Sequence, residues 1–199
     1  MNKKSETSSG KFYRGFKAEC ESIAIEMRKL VNLEPHQYLP AKILAKHLKI
    51  PILYPSEISG LSDTDMKCLG RKEKTQWSAV TTEFDGEKFI ILNESHSDKR
   101  QESDLMHELA HVIRNHNMSI LSSSSNSIFQ LREYNEENEQ EAIWLGGVLQ
   151  LPRTALEWVA YKKMKIPEIS EIYNSSHSMV QFRINKSGIK NQFKNHSFT

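Results

Sequence analysis

Apolar positions recur along this chain at two periods, and the change of period separates helices from strands. Across residues 11–33, Phe12, Phe16, Cys20, Ile23, Met27 and Leu30 are spaced by three and four, which predicts an amphipathic helix ended by Glu34-Pro35. A second helix is expected from Pro40 through Ile43, Leu44 and Leu48, because a proline in the first turn gives up only an N–H that has no partner there. Residues 50–54 read as a short strand, with Pro51 pointing to an edge or a strand start. Residues 76–84 and 87–92 read as a hairpin about Asp85-Gly86, and the unbroken apolar run Phe89-Ile-Ile-Leu92 reads as a central strand covered on both faces. Residues 93–97 then form a polar turn, with Asp98 as N-cap of a helix whose apolar stripe is Leu105, Leu109, Val112 and Ile113.

Periodicity fails after Asn115, and the serine-rich residues 122–127 predict a surface loop. It returns with the acidic run 136–141, which suits the positive end of a helix dipole, and continues with Ala142, Ile143, Gly146, Leu149 and Gln150 on one face. A helix over 152–164 follows. Two short helices, 166–173 and 177–187, come next, joined at Asn174 and closed by Gly188. The resulting division is a disordered tail over 1–10, a main domain over 11–165 and a helix-turn-helix-like extension over 166–199.

Composition narrows the setting. At 199 residues, with 38% hydrophobic and 26% charged residues, the chain can bury a real core, and a net charge of +2 by itself names no partner. Cys20 and Cys68 stand in no metal or redox spacing, so they read as reduced thiols. The first ten residues lack the apolar segment of a signal peptide, and no apolar run is long enough to span a bilayer. A cytoplasmic protein without a membrane partner is the expectation.

The helix after Asp98 carries His107-Glu108-Leu109-Ala110-His111. Residues four apart lie about 40° apart around a helix, so both imidazoles can grip one metal ion, while Glu108, offset by roughly 100°, can lie beside the ion without ligating it. A third ligand is sought on the later acidic helix. Stepping back three residues from Ala142 places Glu139 on the face of Ala142 and Gly146, and the small residues 142, 146 and 147 would allow close approach to the first helix. Glu141, about 160° away around the same helix, is the alternative. Two histidines and a distant glutamate form the ligand set of gluzincin-type zinc peptidases, with water in the fourth place. Asp104 could orient an imidazole from behind; Tyr134 and Arg114 are candidates for stabilising the oxyanion.

With Phe89-Ile-Ile-Leu-Asn-Glu-Ser95, His107-Glu-Leu-Ala-His111, Glu139-Gln-Glu-Ala142 and Leu149-Gln-Leu-Pro152 in this order, the chain resembles the ImmA/IrrE family of metallopeptidase-like proteins over about residues 37–190. The resemblance implies an α+β, minimal zincin-like fold in which a small, mostly antiparallel sheet packs on the His-Glu-x-x-His helix. It implies zinc ligands His107, His111 and Glu139, with Glu108 as the catalytic carboxylate. The family usually has an Asn and an aromatic residue where this chain has Ile143-Trp144. It further implies a cytoplasmic endopeptidase, bacterial or phage-borne, that acts on a partner transcriptional repressor in response to stress.

A rival reading rests on the C-terminal extension. Residues 162–196 hold seven Lys or Arg against two Glu, and a recognition helix beginning near Ser176 would offer His177, Gln181 and Arg183 to DNA. On that reading the protein is a regulator that binds DNA, or sequesters a repressor, with a non-catalytic zincin fold.

Overall fold

The structure, a computed structural model, describes residues 12–58, 78–84, 86–116, 130–131 and 135–193. The tail over 1–10, Cys68, Asp85, the serine-rich segment and Tyr134 lie outside the described residues.

The fold is α+β. Helices α1 (Phe16–Leu30) and α2 (Ala41–His47) precede strand β1 (Ile52–Leu53); β2 (Ala79–Phe84) and β3 (Glu87–Leu92) lead into α3 (Asp98–Ile113), and β4 (Gln130–Leu131) into α4 (Glu136–Gln150). Helices α5 (Arg153–Tyr161), α6 (Ile166–Ile172) and α7 (His177–Lys186) and a 3-10 turn (Lys190–Phe193) complete the described chain. The sheet order is β1-β3-β2-β4, with β1 parallel to β3 and the other pairs antiparallel. β3 is thus interior and buries Ile90, Ile91 and Leu92, while β1, after Pro51, forms an edge. Gly86 takes φ 80° in the hairpin turn, a conformation open to glycine. β4, two residues paired to Thr82 and Glu83, falls where the apolar period is too short to register.

Several boundaries differ from the sequence expectation for local reasons. α1 stops at Leu30, ahead of Glu34-Pro35, because Asn32 turns left-handed at φ 59° and Leu33 N–H reaches back to the Arg28 carbonyl at 2.9 Å. Ser97, not Asp98, is the N-cap of α3. Asp98 is the first helical residue, where its charge still meets the positive end of the helix.

Two apolar cores result among the described residues. One lies among α1, α2, β3, α3 and α4, and the other among α5, α6, α7 and the final 3-10 turn. α3 sits in the middle of the first, touching β2, β3, α2 and α4. Glu108 and His111 are buried along with Leu105 and Leu109. No helix among the described residues is long and apolar enough to cross a membrane.

Candidate metal centre

The centre forms where α4 crosses α3, and the crossing is as close as a glycine permits. A methyl group added to Gly146 would lie 3.1 Å from the Met106 carbonyl oxygen and 3.2 Å from His107 Cα. This approach brings Glu139, one turn before Ala142, over the two histidines of α3. His107 Nε2 and His111 Nε2 lie 3.1 Å apart, Glu139 Oε2 lies 3.2 Å from His107 Nε2, and Glu139 Oε1 lies 3.4 Å from His111 Nε2. The ligand atoms of all three residues fall within 4.8 Å of one another.

These separations suit one cation. Tetrahedral zinc with bonds of 2.0–2.1 Å holds its ligand atoms about 3.3 Å apart. Two imidazole nitrogens and a carboxylate are also the ligand types that zinc accepts. His111 is 2% exposed, His107 26% and Glu139 19%, so the trio is closed on one side and open on the other.

Glu108 is buried and tied to the sheet. Its Oε2 accepts the Thr81 backbone N–H at 2.9 Å and the Thr81 hydroxyl at 2.6 Å, so β2 sets the orientation of the carboxylate. Nothing in the local sequence of β2 signals this contact, which depends on how the sheet packs on α3.

The alternative ligand, Glu141, points elsewhere. Its Oε2 receives Arg114 Nε and Nη2, each at 2.9 Å, and stands 3.4 Å from His116 Nε2. Arg114 also binds Glu19 at 2.7 Å, so its guanidinium is held by two carboxylates. His116, missed by sequence reasoning, places Nδ1 2.8 Å from His111 Nδ1. Burial, followed by the neighbouring His111, pushes the His116 imidazole below its ordinary pKa. Asp104 does meet an imidazole, though one outside the trio: His96 Nδ1 lies 3.1 Å from its Oδ2, and Arg100 Nε 3.8 Å away.

Beside His107, a cleft of about 180 Å³ is lined by Ser103, Asp104, Ala142, Ile143, Gly146, Gly147 and Met179. The DNA candidates separate. His177 and Gln181 are exposed on α7, whereas Arg183 is fully buried, donating to the Leu151 carbonyl at 2.8 Å and to Glu21 at 2.7 Å. Arg183 is therefore withheld from any phosphate or base edge. Its position on the inner face of α7 explains this, since Val180 and Ile184 flank it in the core. Cys20 is a free, buried thiol, raised by burial to about 12.

The model of the IrrE N-terminal-like domain, peptidase M78, matches residues 61–185, and the chain belongs to that family, the ImmA/IrrE metallopeptidase-like proteins. No curated protein matches the sequence. A solved structure titled Mycobacterium tuberculosis transcriptional regulator is similar at 10% identity and a TM-score of 0.49, covering 91% of this chain. The chain spans 50% of that structure's length, and a likeness of this size assigns no role.

Proposed function

We propose that this chain is a zinc-dependent endopeptidase of the ImmA/IrrE type, acting in the cytoplasm on a protein partner that is a transcriptional repressor. One observation carries the reading: His107, His111 and Glu139 converge at separations of 3.1–3.4 Å, with Glu108 on the same helix as the two histidines. His107, His111 and Glu139 would hold the ion. When bound, zinc supplies the Lewis acidity that brings the pKa of water down towards about 7 and polarises a peptide carbonyl.

The remaining steps fall to the protein. Glu108 takes the proton of the attacking water and returns it to the leaving amine. Thr81 holds the carboxylate through two hydrogen bonds while it does so, and the cleft beside His107 receives the chain to be cut. The nature of the substrate follows from the family alone.

The test is incubation of the zinc-loaded protein with a candidate transcriptional repressor from the same cell, with products identified by mass spectrometry. Cleavage is expected with the wild type. Glu108→Gln is expected to keep one zinc per chain and lose cleavage by at least 100-fold. Full activity in that variant would remove Glu108 from the reaction. A repressor left intact by the zinc-loaded wild type, yet released from its operator, would favour sequestration over proteolysis.

A further inference from the structure

The segment Arg114-Asn115-His116 ends α3 in a way that reaches back to the metal centre. Asn115 turns left-handed at φ 52°, its N–H bonds to the Val112 carbonyl at 3.0 Å, and the His116 N–H bonds to the His111 carbonyl at 3.0 Å. Those two hydrogen bonds define a Schellman stop, which characteristically sets the side chain of its last residue close to the final turn of the helix. That contact is frequently apolar. Here it is His116 against His111, with ring centroids 4.9 Å apart and the two Nδ1 atoms 2.8 Å apart.

With a cation among His107, His111 and Glu139 taking the place of a proton between His111 Nε2 and the Glu139 carboxylate 3.4 Å away, proton bookkeeping around this pair has one solution for neutral rings. Glu141, facing the Arg114 guanidinium at 2.9 Å, is a carboxylate and can only accept a hydrogen bond. His116 must then carry its proton on Nε2, which lies 3.4 Å from Glu141, leaving Nδ1 as an acceptor. His111 must carry its own proton on Nδ1 and present an unprotonated Nε2 to His107 and Glu139.

We propose that His116 is a positioning residue for the metal centre, with Glu141 behind it: together they lock His111 in the one tautomer whose Nε2 can bind a metal ion. The proposal rests on the reading of His107, His111 and Glu139 as the metal site. Partners of this kind behind a ligating histidine are typically worth about 10- to 100-fold in metal affinity.

The experiment measures zinc affinity by chelator competition in wild type, His116→Leu and His116→Asn. It adds the visible spectrum of each cobalt-substituted protein and the melting temperature of each metal-free one. His116→Leu is expected to weaken zinc binding about 10- to 100-fold and to alter the cobalt spectrum. His116→Asn, whose amide oxygen can still accept from His111, is expected to recover most of that loss at an unchanged metal-free melting temperature.

Long-range nitrogen–proton NMR on the zinc-loaded wild type supplies a readout that needs no variant, and it should find the His116 proton on Nε2. Zinc affinity and a cobalt spectrum in His116→Leu equal to wild type would overturn the proposal, as would a His116 proton found on Nδ1. Wild-type protein that takes up no zinc would instead overturn the metal-site reading beneath it.

Discussion

Thr81 and Glu102 show how much a single side chain settles in this fold. The two Thr81 hydrogen bonds to Glu108 differ in kind, since the backbone one survives substitution and the 2.6 Å hydroxyl one does not. Thr81→Val keeps shape and β-branching. It is expected to lower kcat/KM about tenfold, the rate equivalent of one hydrogen bond to a charged group, with zinc content unchanged. Glu102 plays a structural part. Pro40, the N-cap of α2, has no capping side chain, and Glu102 from α3 accepts the Ala41 N–H at 2.8 Å instead. Burial pushes the Glu102 carboxyl above its ordinary value of 4.5, so the folded state holds this proton more tightly than the unfolded chain. Stability from that proton is fully present below the ordinary carboxylate pKa and is lost as pH rises through the raised one. Melts of wild type and Glu102→Gln should therefore diverge as pH rises from acid to neutral, with the wild type losing ground. Parallel curves would show that the carboxyl carries no such burden.

At the scale of elements, the decisive fact is the approach of α4 to α3. A β-carbon at Gly146 meets backbone atoms of Met106 and His107, which cannot swing aside as a side chain would. Gly146→Ala is expected to push the helices apart, costing about 1–3 kcal/mol of stability and loosening the trio, read as weaker zinc binding. How much of this centre is legible in the sequence follows from the same geometry. The His107–His111 pair and the Glu139 face follow from helix geometry alone, which operates within one element and so is written in local spacing. Thr81, His116 and the role of Glu141 depend on which elements meet. The one local clue to His116 was a helix stop, Asn115 followed by a histidine rather than an apolar residue. β4 escaped because two residues carry no period.

Across the whole molecule, the buried Arg28 and Arg183 tie the end of α4 to its neighbours. Arg28 of α1 donates to the carbonyls of Leu149 at 2.8 Å, Gln37 at 2.8 Å and Ala24 at 3.0 Å, and burial lowers its pKa to about 10. Arg183 of α7 joins Leu151 to Glu21, and the same Glu21 carboxylate accepts the Arg153 N–H at the start of α5 at 2.7 Å. The end of α4 is thereby held from both sides, and the C-terminal helices are anchored to the helix that opens the described fold. Removing Arg183 takes away two hydrogen bonds made by a buried charge, to the Leu151 carbonyl and to a Glu21 carboxylate that is 25% exposed, each worth about 1.5–3 kcal/mol. Arg183→Ala should lower the melting temperature by roughly 10 °C in a protein of this size. Gln181→Ala, two residues away and exposed, should stay within about 0.5 kcal/mol of wild type. A DNA-contacting role for Arg183 predicts the reverse pattern: an unchanged melt, and a salt-dependent loss of DNA binding in a gel shift.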